Sequence, residues 1–429
     1  MGLLERLEKG IVIYDGSKAT YLEGMGLKSG ECVEMWNLTR PDDVAAMIRA
    51  FIDAGSELIQ TNTFSANKPT LESFGLADKL VEINEAGAKI ALESTKGTDV
   101  LVAASVGPTG LYFEPAGYLS FDMAVGIFTE QLKVLKDAGI TIVNFETFMD
   151  INEMRAAITA AKELGGFEII ANMTFQGERT LNGTPADACA ITTAHMGAVI
   201  VGANCSGGPT TLLKPLAMME QVADTQLCVK PNAGLPEREN GCTIFGIGPE
   251  KFAEKMMPFA EQGVRLLGGC CGSTPEYIAA LKKEFAGKTF PDVQVKDRPI
   301  IASPLGIVDL SREDLQYCEM VFDEITEEME EDDFMSVSDI LPVDIDDCDV
   351  CIIDFRHVGD NFAVQKLITA LTLFMKKPVI VKGGTRELLE LFLRYYPGRA
   401  AVVKRSSYPA DMYGALLVTE SYRPVREAG

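Results

Sequence analysis

Eight short runs of β-branched and apolar residues, each closing near a glycine or a polar residue, recur at 11–14, 57–62, 100–106, 140–146, 168–174, 198–204, 227–230 and 264–267. Amphipathic segments rich in Ala, Glu and Lys lie between them, at 41–54, 71–93, 121–138, 152–164, 210–223, 249–262 and 275–285. Strands separated by helical crossovers pair in parallel, and eight strongly apolar strands close more naturally into a (β/α)8 TIM barrel than into an open doubly wound sheet. Local chemistry agrees at helix starts: Thr39 precedes Pro41, and Ser273-Thr274-Pro275-Glu276 supplies a cap candidate, a proline and a first-turn acid.

The barrel is expected over residues 1–287. A proline-containing connection follows at 288–303, and a smaller C-terminal α/β unit occupies 304–429, with strands at 350–355, 378–382 and 400–404 and helices at 363–375 and 386–395. The stretch 323–333, almost all acidic, reads as a solvated helix face or loose connector. A formal charge of −23 argues against nucleic acid as a partner. No run reaches the ~18 apolar residues of a membrane span, and the first ten residues lack an apolar signal core. A cytoplasmic protein is expected. Its ten cysteines then read as core filler or metal ligands, not as a disulfide framework, and with two histidines a metal site must lean on sulfur or carboxylate.

In a parallel barrel the groups that do chemistry sit where strands end. Asp15-Gly16, Asn62-Thr63, Glu146-Thr147, Asn204-Cys205 and Cys270-Cys271 fall at five such ends. Three thiolates converging there suit Zn²⁺, whose tetrahedral shell keeps a fourth position for a substrate atom. The glycines of Gly268-Gly269-Cys270-Cys271-Gly272 also suit a phosphate cradle, with one of its cysteines as nucleophile, and buried cysteine is ordinary core. A second glycine-flanked cysteine at Gly202-Ala203-Asn204-Cys205-Ser206 favours zinc, because two such sites on one rim are hard to explain as packing.

These stretches, with Glu34-Met35-Trp36-Asn37-Leu38-Thr39, Gln60-Thr61-Asn62-Thr63-Phe64, Gly107-Pro108, Thr174-Phe175 and Lys230-Pro231-Asn232-Ala233-Gly234, resemble the homocysteine S-methyltransferases over nearly all of residues 10–285. That family includes betaine-dependent enzymes and the homocysteine module of cobalamin-dependent methionine synthase. The resemblance implies a zinc held by Cys205, Cys270 and Cys271, with the homocysteine sulfur as fourth ligand, activated there as a thiolate and methylated to methionine. It further implies that Asp15, Gly16, Asn62, Thr63, Glu146 and Asn204 surround the substrate, Glu146 and Asp15 holding its amino-acid end. Methyl transfer needs positioning and a deprotonated thiol, not proton shuttling, which fits a site poor in histidine.

Ser17-Lys18-Ala19-Thr20 departs from the family, which carries small or apolar residues there, so donor specificity is not carried over. The C-terminal unit resembles, weakly, part of the pterin-binding barrel of methionine synthases, with Asp354-Phe355-Arg356 and Lys382-Gly383 where that family has its pterin-contacting pattern. A full second barrel takes about 250 residues and does not fit. The unit is expected to pack on the first barrel, to form a homo-oligomer or to dock a separate corrinoid protein. The expected donor is therefore a methylated corrinoid carried by a partner protein, with S-methylmethionine, betaine or another onium compound second, and a non-catalytic homocysteine-binding subunit as the rival class. Cys348 and Cys351 are expected to be packing, and His195 and His357 structural.

Overall fold

The computed structural model describes residues 1–114, 116–239, 242–291, 296, 298–321, 347–356, 377–404 and 412–425. Two compact units are present, Met1–Asn182 with Gly197–Val295, and Gly183–Met196 with Lys296–Gly429.

The strands of the first unit are β1 (Val12–Ile13), β2 (Leu58–Gln60), β3 (Leu101–Val106), β4 (Ile142–Phe148), β5 (Glu168–Met173), β6 (Ile200–Cys205), β7 (Gln226–Pro231), a hairpin of β8 (Pro236–Glu239) and β9 (Cys242–Phe245), and β10 (Leu266–Leu267). Leaving out the hairpin, they form one eight-stranded sheet in the order β1-β10-β7-β6-β5-β4-β3-β2, parallel throughout. A parallel bridge from Tyr14 to Leu58 joins its two ends, supported by the Glu57 amide donating to the Ile13 carbonyl at 2.7 Å. The sheet therefore closes as a (β/α)8 barrel.

Strand periodicity sets what fills the lumen. Toward the amino ends Val12, Leu58, Ile142, Ile170, Ile200 and Leu266 form one apolar cluster, into which Leu3 and Leu7 of the helix Leu3–Lys9 are packed. Two residues further along the strands the same inward face turns polar, with buried Gln60, Asn144, Asn172 and Lys230. That change from apolar to polar places the chemistry at the carboxyl ends. Gly202 lies in the polar layer because nothing larger fits: an added Cβ would sit 2.1 Å from the Cys228 carbonyl oxygen and 2.5 Å from Asn172 Oδ1.

Two crossovers differ from expectation. The helix expected over 71–93 is two, Lys68–Ser73 and Leu80–Ser94, because Gly75 takes a left-handed φ of +70° between them. The fifth crossover, Ala186–Met196, expected only as a helical stretch around His195 without bounds, groups with the second unit, where it lies against the hairpin of β11 (Ile300–Ser303) and β12 (Gly306–Asp309). The connection expected over 288–303 thus ends in a strand.

The rest of the second unit is a parallel sheet in sequence order, β13 (Tyr317–Val321), β14 (Val350–Phe355), β15 (Val379–Gly383), β16 (Ala401–Val403) and β17 (Leu416–Val418). One face carries Ile353, Val381 and Val402 against the helix Arg386–Tyr395, and the other carries Ile352, Ile380 and Ala401 with Ile301 and Val308 of the hairpin. Cys348 and Cys351 are buried in the first of these cores with Cys318, so this Cys-x-x-Cys pair is packing. His195 lies in Ala186–Met196, where burial, helped by the charge of Arg399, pushes its pKa down to about 3 and leaves it neutral. His357 and the segments expected at 323–333 and 363–375 lie outside the described residues.

Replacing Gly202 with Ala is expected to destabilise the chain by about 1–3 kcal/mol through overpacking. Thermal unfolding followed by circular dichroism checks this, and an unchanged melting temperature would contradict the close approach of β6 and β7.

Candidate functional site

The three cysteines meet because of backbone pairing. Cys205, the last residue of β6, is the register partner of Pro231 at the end of β7, and the Pro231 carbonyl accepts from the Cys270 amide at 2.8 Å. Asn232 Oδ1 accepts from the Cys271 amide at 3.1 Å, and the Ala233 amide donates to the Cys271 carbonyl at 2.9 Å. The three Sγ atoms consequently lie within 4.8 Å of one another. Cys205 and Ser206 have left-handed φ values of 59° and 62°, a costly conformation away from glycine that concentrates at functional sites.

Asn204, fully buried, ties this corner to β4. Its Oδ1 accepts from the Thr147 amide at 2.8 Å, while its Nδ2 donates to Thr147 Oγ1 at 2.9 Å and to Cys270 Sγ at 3.7 Å. Hydrogen bonds from the Cys270 and Cys271 thiols hold the Cys205 sulfur as a thiolate, its pKa pushed down to about 3 against the opposing effect of burial. The same bonds, made to Cys205, push Cys270 and Cys271 up. Three sulfurs sharing protons in this way present a soft, electron-rich concavity.

Beside it lies a buried charge cluster. Lys230 Nζ donates to Glu146 Oε2 at 3.1 Å and to Gln60 Oε1, stands 3.7 Å from Asp15 Oδ1, and sits 4.2 Å from the centre of the Tyr14 ring. Glu146 Oε1 accepts from Gln60 Nε2 and Ser105 Oγ, both at 2.5 Å. Burial works to raise the Glu146 carboxyl, but Lys230, Lys18 and the Ser105 bond outweigh it and the net shift is downward. Burial works against the Lys230 ammonium, yet Glu146 and Asp15 raise its pKa. Both groups are therefore charged at neutral pH.

Of the residues expected around the substrate, Asp15, Glu146 and Asn204 are brought to this corner. Asp15 Oδ2 accepts from the Gln60 amide at 2.8 Å, and Lys18 stands 3.8 Å from the same oxygen. Gly16 allows the loop after β1 to reach the loop after β10: its added Cβ would lie 2.3 Å from the Ser273 carbonyl, which accepts from the Ser17 amide at 2.8 Å. Asn62 and Thr63 have their side chains in the wall, Asn62 Nδ2 donating to the Val33 carbonyl at 3.1 Å and Thr63 Oγ1 to the Ser105 carbonyl at 2.8 Å. Gln60, Lys230 and Asn232 lay in the stretches that carry the resemblance but were given no role from sequence, and Ser105 was not singled out. A lysine closing an apolar strand was the signal available for one of them. In the second unit, Asp354 is paired with Arg356 and with Lys382 at 3.4 Å, so an ion network fills the positions compared above with the pterin pattern.

Fold and site together define a (β/α)8 barrel with a three-cysteine centre on its carboxyl face. A profile of the homocysteine S-methyltransferase family matches residues 12–285, and the chain belongs to that family. It is 26% identical to the methionine synthase of Mycobacterium tuberculosis over 93% of its own length and 36% of that protein's. It is 31% identical to mouse betaine–homocysteine S-methyltransferase 1 over 66% of this chain and 75% of the relative. The chain thus spans about a third of the length of that methionine synthase. Among solved structures, the metallated homocysteine methyltransferase MmuM from Escherichia coli shares the barrel, with a TM-score of 0.57, 22% identity, and coverage of 66% of this chain and 99% of that one.

The rim around the centre is partly apolar. Tyr112 and Tyr118 after β3, Met149 after β4, Leu181 after β5 and Leu235 after β7 are all exposed. The loop after β3 is tethered by Glu153, whose Oε1 accepts from the Thr109 amide at 2.7 Å and from Thr109 Oγ1 at 2.6 Å. Burial raises the Glu153 pKa from 4.5 to about 7, with the Thr109 bonds opposing. A carboxyl raised on folding binds protons more tightly in the folded state, so its contribution to stability falls as pH rises between about 4.5 and 7 and is level above that. The expected size is on the order of 3 kcal/mol. Chemical denaturation of wild type and Glu153→Gln across this window should show the difference between them changing with pH, and parallel curves would contradict it.

Proposed function

We propose that the chain is a zinc-dependent S-methyltransferase that methylates homocysteine, or a closely similar thiol, to give methionine or the corresponding thioether. The observation that carries this reading is the three sulfurs within 4.8 Å of one another at the carboxyl face. Bonds of ~2.3 Å at tetrahedral angles place zinc's sulfur ligands about 3.8 Å apart, so the three side chains need little movement to serve. Cys205, Cys270 and Cys271 would hold the ion. Zinc so held supplies a Lewis acid that favours loss of the proton from an incoming thiol and keeps a position open for its sulfur.

The chain's own residues account for the rest. Asn204 orients Cys270 through its amide, and Asn232 fixes the backbone at Cys271. Asp15 and Glu146 provide the carboxylates for the substrate's ammonium, next to the wall formed by Gly16, Asn62 and Thr63. The thiolate sulfur attacks the methyl carbon, the bond from that carbon to its carrier breaks, and the electron pair leaves with the carrier. The fold's task is to exclude competing water and hold the sulfur in line.

For the donor we propose a methylated corrinoid carried by a partner protein, supported by the likeness to methionine synthases, which continues through the second unit, and by the apolar rim. The likeness to a betaine-dependent enzyme supports the alternative, a small onium donor such as betaine or S-methylmethionine. We take residues 1–287 as the homocysteine module and 304–429 as the partial pterin-binding-like unit, which would provide dimerisation or partner docking. No helix among the described residues is long and apolar enough to cross a membrane, in keeping with the cytoplasmic placement we propose.

Zinc analysis tests the core of this reading. Wild type is expected to bind one zinc per chain and to gain a sulfur ligand, visible by X-ray absorption, when homocysteine is added. Cys270→Ala is expected to lose zinc and thiol methylation together, and activity retained without zinc would reject the mechanism. Turnover with a methylated corrinoid protein, set against turnover with betaine and S-methylmethionine, decides the donor.

A further inference from the structure

We propose that Lys230 is a specificity-determining residue: an internal ammonium that occupies the carboxylates of Glu146 and Asp15 until the α-ammonium of an amino-acid thiol displaces it, whereupon it pairs with the ligand's carboxylate. The proposal rests on the reading of this corner as a thiol site.

Hydrogen-bond accounting around Glu146 leads to it. Oε1 already accepts from Ser105 and Gln60, and Oε2 accepts from Lys230 at 3.1 Å, so a ligand ammonium reaching Glu146 must bind at Oε2, where it competes with the like charge of Lys230. Asp15 Oδ1, in a side chain only 3% exposed, has no hydrogen-bond donor among the described residues and faces Lys230 at 3.7 Å. It is a buried acceptor that faces a cation without receiving a hydrogen bond. A buried polar atom left without a donor is unfavourable, and a second ammonium between the two carboxylates would satisfy it.

Charge counting then restricts the ligand. Asp15 and Glu146 are balanced by Lys230 and Lys18, which stand within 3.8 Å of one or both of them, so the cluster is close to neutral. A zwitterion leaves that balance intact. A thiol bearing only an amine, or only a carboxylate, buries one unmatched charge. Lysine suits an exchange of this kind because its ammonium rides on a flexible stem with rotatable donors, and the Tyr14 ring provides a face over which the ammonium can shift.

The test uses the zinc-loaded full chain and calorimetric binding of three thiols: homocysteine, 3-aminopropane-1-thiol, which lacks the carboxylate, and 4-sulfanylbutanoate, which lacks the ammonium. Wild type is expected to prefer homocysteine over either analogue by tenfold or more. In Lys230→Gln, whose melting temperature reports its folding, homocysteine should weaken at least tenfold while 3-aminopropane-1-thiol holds or tightens. Lys230→Arg, which keeps the charge should the neutral variant fold poorly, should retain a preference for homocysteine over 3-aminopropane-1-thiol. Equal weakening of all three thiols in Lys230→Gln, or loss of that preference in a folded Lys230→Arg, would overturn the role of Lys230 and leave the thiol site standing. Wild type that binds no homocysteine would overturn both.

Discussion

The hydrogen bond from the Cys270 amide to the Pro231 carbonyl, 2.8 Å long, is where the barrel becomes a site. Pro231 is also the register partner of Cys205, so one residue sets the separation of two cysteines that are distant in the chain. Proline suits the position, since its carbonyl accepts and it has no N–H to satisfy at the end of the strand. Closure of the eight strands makes this arrangement rigid: β6, β7 and β10 are neighbours, and a sheet without edges cannot slide one strand past the next.

On that frame the chain places two groupings of opposite character. The sulfurs are soft and share protons among themselves, while the neighbouring cluster of Asp15, Glu146 and Lys230 is hard and fully ionic. Asn204 is their hinge point. Through its side-chain amide it touches Cys270 on one side and Thr147, the residue after Glu146, on the other. On the function proposed above, a ligand with a thiol at one end and charges at the other would find both ends recognised by parts of a single hydrogen-bonded unit.

Much of this was legible in the residues. The eight apolar runs stood where the strands are, and Cys205, Cys270 and Cys271 were marked by glycines and strand ends. The bounds of the helix Ala186–Met196 were not, because alanine, threonine and cysteine lie on nearly every side of it and leave no apolar stripe to read. In the second unit, Leu416–Val418 is three residues long, and in Tyr317–Val321 a glutamate interrupts the apolar run on the more exposed face. Lys230 and Gln60 stood in stretches that carry the resemblance, but their roles were hidden for another reason. Their importance comes from meeting across the lumen, a long-range pairing that no local pattern encodes.

The helix Leu3–Lys9, packed by Leu3 and Leu7 into the apolar end of the lumen, has a kinetic consequence. With side chains filling the barrel from that stopper upward, the carboxyl rim is the doorway for every reactant and product. On the function proposed above, the thiol would lie deeper than the methyl carrier that approaches it, so entry would be ordered, thiol first. Departure would be ordered in reverse, the finished thioether lying beneath the spent carrier and leaving only after the carrier had withdrawn.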